Sequence, residues 1–207
     1  TITSRCEVLR LRPLPLEQAA AGLLAYDQID PVGAAAVGYA HLAPRPDGKE
    51  GFDRPTPEQA DLLAHIAGGR PGYALRLLDP HTGLLEERRD QLDALFELLG
   101  ASLRQRFAWA AGKAKSSGGG KADRDVQRDE LRAIILTWMA LWRDVMLAAS
   151  GSAAPLTNPD RREQIDDLAA QYGAARAGAN LRALEDAIAR LGNANLQLLV
   201  ESVLVGM

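Results

Sequence analysis

The sequence predicts an all-α fold: a small helical domain, then a helical bundle, with one short strand at the N-terminus. Three observations carry this. Alanine and leucine dominate the 207 residues, aromatics are 5%, and β-branched residues come thinly, a balance that favours helix over strand. From Leu84 onward apolar residues recur at spacings of three and four, the period of a helix with one buried face. Thr56-Pro57 and Asn158-Pro159 each place a capping side chain directly before a proline, the pattern of a helix start.

The elements follow in order. Glu7 to Leu11 alternates in part and is closed by Pro13 and Pro15, which reads as a short strand. Leu16 to Leu24 is a short alanine-rich helix. Asp30-Pro31 breaks the chain, and Pro44 to Pro57 holds four prolines and two glycines, so about 30–55 reads as a loop-rich insertion. Thr56-Pro57-Glu58-Gln59 then opens a helix with a capping box, Leu62, Leu63 and Ile66 form its apolar face, and Gly68-Gly69 ends it. Pro71 starts the next helix, with Ala74, Leu75 and Leu78 inward, and Pro80 closes it.

Longer helices begin at Leu84. Leu92, Leu95, Phe96, Leu99, Leu103 and Phe107 make one continuous face, so a single helix is expected to run to near Gly112. Lys113 to Asp123 reads as a glycine-serine linker. A second long helix carries Leu131, Ile134, Ile135, Trp138, Leu141, Trp142 and Val145. Ser150 to Pro155 is a loop, Asn158 caps a third helix, and two more follow at about Ala174 to Leu191 and Ala194 to Val205. Trp142 reads as packing and Asn193 as a cap. The apolar residues Leu196, Leu198, Leu199, Val203 and Leu204 of the last helix exceed what one stripe needs.

The chemistry that the chain offers is sparse. A net charge of -3 does not favour a chain that coats nucleic acid by itself. No apolar run reaches the roughly 18 residues that cross a bilayer. Cys6 is the single cysteine, so no internal disulfide forms, which fits a reducing cytoplasm. His41, His65 and His81 lie far apart without a cysteine or carboxylate at metal-ligand spacing. Ser116 to Lys121, SSGGGK, fails as a phosphate loop, because Lys115 stands where glycine is needed and Ala122 where Ser or Thr is needed. Arg5, at a strand end, could fork two donors onto phosphate oxygens of a neighbouring subunit; by itself it reads first as a surface or ion-paired arginine.

Thr1-x-x-Ser4-Arg5-Cys6, followed by a short strand and Leu-Pro, resembles the Ser-Arg-Cys motif of bacterial clamp-loader subunits, AAA+ proteins of the DNA polymerase III holoenzyme. Later stretches resemble the family in order: Gly68-Gly69-Arg70-Pro71-Gly72-Tyr73-Ala74-Leu75, Trp142-Arg143-Asp144, Leu156-Thr157-Asn158-Pro159-Asp160, and Asn193-Ala194-Asn195 with Leu198 and Glu201. The resemblance implies that residues 1–13 end an AAA+ core domain, that 14–83 form its lid and 84–207 a helical collar through which subunits assemble. It assigns Arg5 as an arginine finger acting in trans on ATP and Mg at a neighbouring subunit, with Ser4 and Cys6 supporting the motif and no cofactor bound by this chain itself. It implies as partners the other clamp-loader subunits and, through the whole complex, the sliding clamp and primer-template DNA, in the cytoplasm and away from any membrane. Gly72 falls where ATP-hydrolysing members carry a lid arginine, with Arg70 and Arg76 close by, so the chain looks like the delta-prime type, which lends an arginine without hydrolysing ATP. A gamma/tau-type ATPase fragment and an unrelated helical protein-interaction scaffold remain the alternatives.

Overall fold

The computed structural model describes residues 12–25, 55–114 and 121–207, and every regular element among them is helical. The expected strand at Glu7 to Leu11, the motif Ser4-Arg5-Cys6 and the insertion from Asp30 to Arg54 lie outside the described residues. The chain divides into two compact units, Thr1–Gly83 and Leu84–Met207.

The first unit contains α1 (Leu16–Leu24), α2 (Pro57–Ala67), α3 (Pro71–Leu78) and a 3-10 turn at Pro80–Thr82. Local chemistry sets its boundaries. The Thr56 hydroxyl accepts a hydrogen bond from Gln59 N at 3.3 Å, and the Gln59 side chain accepts one from Thr56 N at 2.9 Å, a complete capping box. Gly68 ends α2 in the left-handed region, and Gly69 follows with φ of 70°. The Asp79 carboxylate takes the His81 N–H at 2.9 Å and opens the 3-10 turn. The core is built from small residues, Ala19, Ala60, Ala64, Ala67 and Ala74, with Leu23, Leu63, Ile66 and Leu77 between them. The inward face of α3 is therefore Ala74 and Leu77; Leu75 and Leu78, expected inward, are only half-buried.

The second unit contains α4 (Leu84–Gly100), α5 (Leu103–Lys113), α6 (Lys121–Ala149), a 3-10 turn at Pro159–Arg161, α7 (Arg162–Arg190) and α8 (Leu196–Gly206). Its core joins Leu92, Leu95 and Leu98 to the α6 row Leu131, Ile134, Ile135, Trp138, Leu141, Trp142 and Val145, and to Ile165, Leu184, Val203 and Leu204. Trp138 stacks on Trp109 with centroids 5.4 Å apart and donates its Nε1–H to Gln91 O at 2.9 Å. Trp142 meets Tyr172 edge-on at 5.2 Å.

Four expected helix boundaries can be compared with the structure. The helix from Leu84 does not run through to Gly112. It stops at Gly100, and Ser102 with Gln105 forms a second capping box that restarts the chain as α5. The stripe then turns away from the core, leaving Leu103 54% and Phe107 39% exposed. Arg106 secures the corner by donating to Leu98 O, Leu99 O and Leu204 O at 2.8, 3.0 and 2.7 Å. These are helix-end carbonyls that lack intrahelical partners. Asn158 does not cap α7, because its side chain is used elsewhere. Asn195, not Asn193, caps α8, accepting from Leu198 N at 3.1 Å. The boundary expected near Ala174 is a break at Gly173, whose φ of 67° and ψ of 168° interrupt the long α7 helix.

Gly68 and Gly69 both have positive φ but differ in surroundings. A Cβ on Gly68 would meet open space, while one on Gly69 would collide with the backbone carbonyl of Leu14, whose N–H bonds Gly69 O at 2.8 Å. Gly68→Ala is expected to cost about 1 kcal/mol from left-handed backbone strain alone. Gly69→Ala should cost clearly more, about 3 kcal/mol, since strain and collision add. Thermal unfolding of the two variants checks the order; equal costs would show that the Leu14–Gly69 approach is not maintained.

Candidate functional site

The second unit brings together two stretches that the sequence sets apart, Trp142-Arg143-Asp144 on α6 and Leu156-Thr157-Asn158-Pro159-Asp160 ahead of α7. Asp144 is fully buried. Its Oδ2 accepts the Asn158 backbone N–H and side-chain Nδ2–H, both at 2.8 Å. Its Oδ1 accepts from Thr157 N and from Arg143 Nη1, both at 3.0 Å. The Asn158 Oδ1 in turn accepts from Arg88 Nη2 at 2.7 Å. Arg88, on α4, forks onto Asp160, with Nη1 to Oδ2 at 2.9 Å and Nη2 to Oδ1 at 2.7 Å. Arg161 continues the chain of charges to Asp93 on α4 at 2.7 Å and lies over the Phe96 ring at 5.9 Å.

This arrangement joins α4, α6 and the entry to α7 through side chains about 70 residues apart in sequence. Asn158 makes it possible, because an amide donates to the carboxylate on one side and accepts from the guanidinium on the other. Arg143 and Arg88 balance Asp144 and Asp160, so the cluster is neutral as a whole. Both Asp144 oxygens and both Asp160 oxygens are engaged inside the protein. The arrangement is suited to holding helices in register and leaves these carboxylates committed to one another's partners.

Burial pushes the Asp160 carboxyl pKa up, but the Arg88 hydrogen bonds and charge, a backbone hydrogen bond and the Arg161 charge outweigh it. Asp160 is therefore held below the usual carboxylate range.

Ser4, Arg5, Cys6 and His41 lie outside the described residues, as do Ser116 to Gly120; Lys121 is the first residue of α6. Gly72 sits half-buried in the first turn of α3. Arg70 donates its Nε–H to Ala67 O at 2.8 Å, and its guanidinium stacks on Tyr73 at 5.1 Å. Arg76 is exposed in the last turn of α3. His65 pairs with Asp61 at 3.9 Å, and His81 lies in the 3-10 turn. Among the described residues no group of three or more His, Cys, Asp or Glu could hold a metal ion, and no helix is long and apolar enough to cross a membrane.

Arg88 and Arg106 were missed by sequence reasoning. Arg88 does leave a signal, since it falls four residues before Leu92 on the same helix face, where a charge implies a buried partner. Arg106 leaves none, because its acceptors are main-chain carbonyls. No family model, no curated protein and no solved structure matches the chain.

Arg88→Ala strips Asp160 and Asn158 of their cation. The expected loss is about 3 kcal/mol, the lower end for breaking a buried pair, since the Asp160 side chain keeps 23% exposure. A urea unfolding midpoint unchanged from wild type would remove the network's role. The pH response has a definite sign. A carboxyl with depressed folded pKa adds stability that is complete above its unfolded value of about 3.9 and is lost as pH falls through the folded value. Asp160→Asn is therefore expected to lower stability at neutral pH and to flatten the decline of the melting temperature below about pH 4. Parallel melting curves for both proteins across that range would contradict it.

Proposed function

We propose that this chain is the lid and collar portion of a bacterial clamp-loader subunit of the delta-prime type, which supports ATP-driven loading of the sliding clamp onto primed DNA. The observation that carries the reading is the Ser4-Arg5-Cys6 motif, followed in order by the other family-like stretches. Two structural features support it. Trp142-Arg143-Asp144 and Leu156-Thr157-Asn158-Pro159-Asp160, distant in sequence, meet in one buried network. The last helix, α8, buries Leu199, Val200, Val203 and Leu204 yet leaves Leu198 63% and Val205 54% exposed, apolar area suited to a helix of a neighbouring subunit.

In this reading Arg5 acts in trans. Its guanidinium reaches ATP held by the adjacent subunit and stabilises the charge that develops on the transferred phosphoryl group. In this reading the chain lends its arginine without hydrolysing ATP, as Gly72 stands where hydrolysing members carry a lid arginine, and SSGGGK reads as a linker that does not match the phosphate-loop pattern. Gly72 at the position of the lid arginine supports the delta-prime type over gamma/tau; of the two arginines close by, Arg70 gives its Nε–H to Ala67 O and lies over Tyr73, while Arg76 is exposed.

Leu198→Glu is expected to weaken assembly with the other loader subunits while leaving the fold intact, because Leu198 is exposed in the single chain. Size-exclusion chromatography with partner subunits, alongside a melting curve, reads both; normal assembly by Leu198→Glu and Val205→Glu would favour the unrelated scaffold. In the full-length subunit, reconstituted with its partners, Arg5→Ala should reduce DNA-stimulated ATP turnover with little change in nucleotide affinity, since the finger acts mainly on the transition state. The loss should be partial because the other ATP sites keep their own fingers. Arg5→Lys should rescue poorly, as ammonium lacks the planar fork. Wild-type turnover in the Arg5→Ala loader would make Ser4-Arg5-Cys6 a structural turn.

A further inference from the structure

We draw no further inference here: the strongest candidate, the cleft of about 250 Å³ between α4, α5 and α6 that is rimmed by Glu87, Asp90 and Glu130 and walled by Trp109 under the Lys113 ammonium, is a cluster of exposed carboxylates, and nothing in the structure shows what ligand it would take.

Discussion

A carboxylate with no exposure to water must be met by donors on every side, and Asp144 imposes that demand on the second unit. Its four hydrogen bonds come from Arg143, Thr157 and Asn158, so the chain after α6 has to return to the same place before α7 can begin. Asn158 then passes the constraint to Arg88, and Arg88 passes it to Asp160. The result fixes α4 against the α6–α7 pair at one register. Apolar packing of leucines alone would tolerate several registers, since leucine contacts are not directional. Such a network serves uniqueness more than net stability, because buried ion pairs gain little over well-packed apolar residues and lose heavily when one member is removed.

The same economy of arginine recurs at helix ends. Arg106 serves the end of α4 and the last turn of α8 with one guanidinium, Arg70 serves the end of α2, and Arg176 reaches Gly206 O at 2.7 Å. Gln127 does likewise for Lys113 O at 3.0 Å, at the end of α5. Each satisfies carbonyls that the helix cannot, and each cation also sits at the negative end of a helix dipole. Arg106 and Arg176 together fix the last helix at its C-terminal end. The exposed Leu198 and Val205 lie on this helix, whose last turn is held by both arginines.

The stretches of the second unit that resemble the clamp-loader family are architectural here. Asp144, Asn158 and Asp160 hold helices to one another, and Trp142 is sealed in the core. Their part in the proposed assembly is to shape the surface that neighbours would meet. The proposed chemistry rests on Arg5, outside the described residues, and on a nucleotide carried by another subunit.

The sequence by itself determined what depends on neighbours along the chain. The bounds Leu16–Leu24, the Thr56–Gln59 capping box, the stop at Gly68-Gly69 and the buried row from Leu131 to Val145 were all legible, because caps and helical spacing act within a few residues. The stop at Gly100 was legible too, in Ser102-x-x-Gln105, but the stripe that continued through Leu103 and Phe107 hid it. Only tertiary structure decided the rest. Whether Asn158 capped its own helix or bridged Asp144 to Arg88 depended on a guanidinium 70 residues away. Which leucines of α3 and α8 faced inward depended on the helices packed against them. A periodic pattern shows that a helix has an apolar face; the direction of that face, and the partners of a buried charge, are set by contacts that no local window contains.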